Sequence, residues 1–216
     1  MASVTFSKND FENWERFYRA SFFNSLGGYK SLNLMASHSA EGVDNLGLFF
    51  SVIHLGANPP LLGMLFRPHT VPRHSLENFR ETGFATLNSV DTNLLERAHG
   101  SSANYKADES EFLALGIEAQ DLGFGAPYVK ESPIKIGVSY VEDYLIKANS
   151  TIFCVAAIEE VHLIDDWILA DGLIDHSLAG NLTVNGLDSY YKVDRFKRFA
   201  YAGPHEELKE MKWDKK

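Results

Sequence analysis

Two long segments, Ile134 to Lys147 and Thr151 to Ile164, constrain the fold of this chain more than any other feature. Both are rich in Val, Ile, Tyr and Phe, side chains that suit a pleated, half-buried surface. Only Ala148-Asn149-Ser150 separates them, so they read as one large β-hairpin. Upstream, Ser31 to Ser39 alternates Leu32, Leu34 and Ala36 with Asn33 and Ser37, the pattern of a strand with one buried face. Glu41-Gly42-Val43-Asp44 is a hairpin-like turn, and Leu46 to Leu55 reads as a second strand. Asn58-Pro59-Pro60 ends that segment, and Leu61 to Phe66 and Phe84 to Leu87 supply two more strands.

Helical signals are few and short. Asp10 is placed to cap a helix carrying Phe11, Trp14, Phe17 and Tyr18 on one face, stopped by Gly27-Gly28. Ser75 is a good N-cap for a helix ending at Gly83. Asp91-Thr92-Asn93 caps a third through Leu94, Leu95 and Ala98, and Glu109 to Leu115 forms a fourth with Phe112 and Leu115 packing inward. Ser101 to Asp108 reads as a loop, and Gly123 to Pro127 and Asp171-Gly172 as turns. Strands joined mainly by turns, with a few short helices, predict a mainly β protein: an antiparallel barrel with attached helices. The expected organisation is an N-terminal helical extension over 1–28, a barrel domain over 29–204 and a charged, peripheral tail over 205–216.

With 216 residues, 45% of them hydrophobic, one domain can bury a substantial core. The net charge of −9 disfavours nonspecific nucleic-acid binding, which depends on neutralising phosphates with Lys and Arg. Cys154 is the only cysteine, which rules out an intrachain disulfide, and its apolar run reads as a place for a buried, inert thiol. No apolar signal core follows Met1 and no run reaches membrane-spanning length, so a cytoplasmic protein is expected, with no membrane partner.

The chemistry signals are local. Arg67, Arg73 and His74 lie just ahead of the helix that opens near Ser75. Free helix amides, the positive end of the helix dipole and forked guanidinium donors together suit a phosphate or another anion, although most capped helices bind nothing. His99-Gly100-Ser101-Ser102-Ala103-Asn104-Tyr105 gathers histidine, hydroxyls and amides in a form suited to polar contact with a ligand or to a capped loop. Asp165, Asp166, Asp171, Asp175 and His176 cluster in sequence but read as a solvated loop, because spacing alone does not create coordination geometry. The Gly-x-Ser-x-Gly elbow and the Walker A pattern are absent, and the glycines of 123–125 lack the strand-to-helix context of a dinucleotide fingerprint.

Several segments in a fixed order resemble the flavin reductase-like family of FMN-binding split barrels. They are Asn45-Leu46-Gly47-Leu48-Phe49-Phe50-Ser51, Asn58-Pro59-Pro60, the basic loop into Ser75, and Glu81-Thr82-Gly83-Phe84 through Asn88. His99 to Tyr105, Ser110-Glu111-Phe112, Glu131-Ser132-Pro133-Ile134 and Gly186 to Tyr191 follow, and Arg198 to Pro204 is similar to an ending found in one bacterial branch. The resemblance spans 29–204. It implies a homodimer with FMN at or near the subunit interface, NADH or NADPH as electron donor, and hydride transfer from nicotinamide to flavin. An FMN-binding electron carrier without fast nicotinamide oxidation is the alternative.

By the same resemblance, Arg73, His74 and Ser75 receive the FMN phosphate, with Arg67 close by. The strand holding Asn45, Leu46, Phe49, Phe50 and Ser51 runs beside the isoalloxazine ring. Asn88 closes a neighbouring strand, and His99, Ser101 and Ser102 lie in a loop near the flavin. No catalytic acid or base and no metal is expected, because the cofactor carries the difficult chemistry. Phe50 stands where many relatives carry a small hydroxyl residue. Ser51 follows, and on a continuous strand it would face the opposite way.

Overall fold

The computed structural model describes residues 3–216; the first two residues of the expected 1–28 extension lie outside the described residues. In chain order the strands are β1 (Lys30–Ser31), β2 (Asn33–His38), β3 (Asp44–Phe49), β4 (Val52–Ala57), β5 (Pro60–Phe66), β6 (Phe84–Ser89), β7 (Ala119–Gln120), β8 (Tyr128–Val129), β9 (Lys135–Ile146), β10 (Thr151–His162), β11 (Leu182–Asn185) and β12 (Ser189–Lys192). The helices are α1 (Lys8–Asn13), α2 (Arg16–Leu26), α3 (His74–Thr82), α4 (Leu95–Gly100) and α5 (Glu111–Leu115).

Seven strands form one antiparallel sheet in the order β3-β2-β6-β9-β10-β5-β4. Its centre is the expected long hairpin, β9 and β10, paired from Thr151↔Ile146 to His162↔Lys135 with two irregularities of register. The two edge strands, β3 and β4, are consecutive in sequence, with only Phe50 and Ser51 between them. A sheet can meet that condition only by curling until its edges approach. The result is a split barrel, closed along one seam by a two-residue covalent link where a ladder would otherwise run. The single strand expected over Leu46 to Leu55 is therefore two strands, one at each edge of the sheet. The Ser51 carbonyl accepts a hydrogen bond from the Leu65 N–H at 2.9 Å, which seats the crossing segment on β5.

Inside the curl, Met35, Met64, Leu87, Val138, Ile152, Cys154 and Ala156 pack with Leu76 and Phe79 of α3. Burial pushes the Cys154 thiol up to about 12, so it is inert at neutral pH. On the other side of β2 and β3, Leu34, Ala36 and Leu46 pack with Leu94, Ala98, Phe112, Leu182 and Val184. β2 is thus buried on both faces, where alternation in the sequence predicted one: α4, α5 and the β1-β11-β12 sheet cover its outer side.

In the N-terminal segment two helix starts differ from expectation. Glu15 interrupts the N-terminal segment, because its carboxylate accepts the N–H groups of Phe17 at 2.8 Å and Tyr18 at 3.0 Å and opens a new helix there. Asp10 lies inside α1, where it accepts the Ser7 N–H at 2.7 Å. The tail is also more than a charged end. Its backbone bonds to the body through Ala170 N–H to Asp214 O and through isolated bridges Leu169↔Lys215 and Phe199↔Glu210. Trp213 lies against the guanidinium groups of Arg195 and Arg198, at 5.1 and 5.4 Å. Three of the four acidic residues of 165–175 are taken up in this docking: Asp165 pairs with Lys216, Asp171 with Arg198 and Asp175 with Arg195.

Candidate flavin site

A cavity of about 520 Å³ opens where the barrel seam, the N-terminus of α3 and the segment after α4 come together. That volume falls in the range of small-molecule sites, roughly 300–1,000 Å³. Asn45, Gly47, Phe49, Phe50 and Ser51 form one wall, Arg67, Arg73, His74 and Ser75 a second, and His99 with residues 101–105 a third. Leu187 and Asp188, from the turn between β11 and β12, complete the rim.

Helix α3 begins two residues earlier than the Ser75 cap implied: Arg73 is the N-cap and His74 the first helical residue. The reason lies in Glu77, whose Oε1 accepts the Arg73 N–H at 3.0 Å and sits 2.6 Å from His69 Nε2. Burial opposes the charged form of Glu77, but these two partners, with His74 nearby, hold its carboxyl below the ordinary value. Freed from capping, the Ser75 hydroxyl accepts from Asn45 Nδ2 at 2.9 Å and ties α3 to β3. Gly47 is required for that approach, since a Cβ there would meet Ser75 Oγ at 3.2 Å. At the far end Gly83 closes the helix at φ +80°, a conformation that favours glycine.

This geometry leaves donors unused. The Leu76 and Glu77 N–H groups bond back to the Arg73 carbonyl, while those of His74 and Ser75 have no partner among the described residues. Arg73 Nε is buried and has no hydrogen-bond partner either. A buried unpaired donor costs about 1–3 kcal/mol. Three unused donors on a cavity wall at a helix N-terminus fit the phosphate of a flavin mononucleotide.

Of the residues singled out from the sequence, all but two line the cavity. Leu46 is fully buried in the outer core, and its backbone N–H donates to Glu111 Oε2 at 2.9 Å. Asn88 is fully buried in the sheet, donating to the Leu34 carbonyl at 3.2 Å and to Thr86 Oγ1 at 2.8 Å and accepting the Val129 N–H at 2.9 Å. Leu46 sits behind the wall between the lining residues Asn45 and Gly47, and no residue of β6 lines the cavity. Ser101 lines it, but its hydroxyl donates to the Ala98 carbonyl at 2.8 Å. Phe50 and Ser51 both line it, because they lie between strands, where the rule of alternating faces does not apply. The Lys30 ammonium rests over the Phe50 ring at 4.6 Å while donating to the Gly186 carbonyl at 2.7 Å.

Glu111 is the functional candidate that sequence reasoning missed. It is buried, lines the cavity, and is held by the Leu46 N–H. Burial raises its carboxyl above the ordinary range, against the pull of that hydrogen bond and of His74. The sequence carried two signals: Ser110-Glu111-Phe112 is one of the segments that resemble the family, and Glu111 opens a helix whose Phe112 was expected to pack inward.

The comparisons agree with this architecture. The model of the flavin reductase like domain matches residues 32–177. The chain belongs to the flavin reductase-like family. It is 43% identical to a protein from Shewanella frigidimarina NCIMB 400 described as a flavin reductase with a split barrel domain, over 93% of this chain and 100% of that one, at a TM-score of 0.89. Two more distant structures share the fold. Nitrilotriacetate monooxygenase component B from Bacillus cereus is 15% identical over 91% of this chain and 98% of that one, at a TM-score of 0.78. Flavoredoxin of Desulfovibrio vulgaris (Miyazaki F) is 19% identical over 78% and 88%, at 0.67. No curated protein matches the chain. Among the described residues, no helix is long and apolar enough to cross a membrane.

Proposed function

We propose that the chain is an NAD(P)H:flavin oxidoreductase that binds FMN in the cavity between the barrel seam and α3, acting as a cytoplasmic homodimer. The observation that carries the reading is the unpartnered, buried Arg73 Nε beside the free His74 and Ser75 amides. These donors bind the phosphate and anchor one end of the cofactor. The wall from Asn45 to Ser51 flanks the ring, with Phe49 and Phe50 supplying apolar surface and Asn45 a polar contact. Bound flavin supplies hydride acceptance and electron transfer; the chain binds it, orients it and limits water around it.

Family membership supports a flavin-related oxidoreductase, and the nicotinamide donor is the finer step. The visible spectrum of the purified protein, with cofactor extraction and mass analysis, identifies the flavin. Stopped-flow mixing of the FMN-loaded protein with NADH or NADPH then tests the reaction. Rapid bleaching of the flavin band by either donor is expected. No bleaching at millimolar concentrations of both would leave an electron carrier. Light scattering across protein concentrations tests the dimer, and a monomer that still binds FMN tightly at every concentration would refute it.

A further inference from the structure

Tyr190 of β12 is absent from the cavity wall, yet it bonds to a residue that lines it. Its Oη lies 2.5 Å from His99 Nδ1, across 91 positions of sequence, and the two rings meet edge to face at 5.8 Å. Tyr190 packs against the outer core and pairs with Val184 across the β11–β12 ladder, which fixes the phenol in place. His99 is in the last turn of α4 and faces the cavity. Neither Tyr190 Oη nor His99 Nε2 has another hydrogen-bond partner among the described residues.

Two proton arrangements could join this pair. If Nδ1–H donated, the phenol proton would have no acceptor among the described residues. If the phenol donates, Nδ1 accepts and the single proton of a neutral imidazole must sit on Nε2. The second arrangement pairs the better donor with the better acceptor. Burial, and then the negative charge of Asp188 on the neighbouring turn, also keep the phenol protonated.

We propose that Tyr190 is a positioning residue that fixes His99 as the Nε2–H tautomer and so presents one oriented hydrogen-bond donor to the ligand in the cavity. The identity of that ligand rests on the flavin reading above; the tautomer is a property of the flavin-free chain. For a flavin, the donor suits an acceptor nitrogen or carbonyl oxygen of the ring system.

The test is two-bond ¹H–¹⁵N correlation NMR on flavin-free, imidazole-labelled protein at about pH 8, above the ordinary histidine value. His99→Gln identifies the signal. The wild type is expected to show a protonated Nε2 and an unprotonated Nδ1, and Tyr190→Phe should shift the Nδ1 resonance and mix the tautomers. FMN affinity of Tyr190→Phe should fall by up to about fivefold, the worth of one neutral hydrogen bond. A wild-type Nδ1–H tautomer, or identical His99 shifts in both proteins, would overturn the proposal, and the wild-type spectrum decides this even if the variant folds poorly. A protein that shows the expected tautomer but binds no flavin would refute the flavin reading and leave the Tyr190 assignment standing.

Discussion

Arg73→Ala is the substitution that isolates the proposed phosphate contact. Among the described residues the Arg73 side chain makes no hydrogen bond or ion pair, and its Nε is buried without a partner. The start of α3 depends on the Arg73 backbone, whose N–H is held by Glu77 and whose carbonyl accepts from Leu76 and Glu77. Alanine keeps all of this. Truncation therefore removes an unpaired buried donor, so the flavin-free protein should be unchanged in stability or slightly more stable. In the FMN complex proposed above, the same truncation would remove a charge-assisted hydrogen bond, which contributes on the order of 1.5–3 kcal/mol. At about 1.4 kcal/mol per decade, FMN affinity should fall roughly ten- to a hundredfold. Riboflavin carries the same ring without the phosphate, so its affinity should hold within about twofold. Fluorescence titration of wild type and Arg73→Ala with both ligands makes the comparison, alongside thermal melts without flavin. Equal losses for FMN and riboflavin, or a clear drop in the flavin-free melting temperature, would show that Arg73 supports the fold and does not read a phosphate.

Gly47→Ala should weaken FMN binding and lower stability together, because its Cβ would press on Ser75 Oγ at 3.2 Å and disturb the Asn45–Ser75 bond; an unchanged titration and melt would refute the close approach of β3 to α3. Glu111→Gln should keep the bond from the Leu46 N–H and remove a pH dependence. The Glu111 carboxyl is raised from its ordinary value of 4.5, so its stabilising contribution is present below that value and is lost as pH rises through the folded-state value. The variant should therefore gain melting temperature relative to wild type as pH increases from about 4.5, and a difference that is flat with pH would contradict the burial argument. Gly83→Ala should cost about 1 kcal/mol in chemical denaturation, from the strain of φ +80° alone, since nothing lies within 4 Å of the added Cβ.

The elements were largely legible in the sequence because their signals are local. Alternation and β-branched composition mark the β9–β10 hairpin, a glycine past the last helical residue marks the end of α3, and the order of motifs marks the family. The basic loop before α3 was legible for the same reason: helix termini and arginines carry their chemistry with them. Tertiary structure alone decided what these elements do to each other. The break at Phe50–Ser51 follows from closure of the sheet, which requires one continuous apolar run to serve both edges of a barrel. Ser75 lost its capping role because Glu77 and His69 hold the helix start, and it gained a bond to Asn45, 30 residues away. Glu111 reached the cavity because α5 packs on β3, and His99 acquired its partner because the small β1-β11-β12 sheet lies across the outer core. Each of these depends on groups far apart in sequence coming within hydrogen-bonding distance. A one-dimensional pattern carries no record of that, whereas burial makes it decisive, since a polar group removed from water must find its partner wherever the fold provides one.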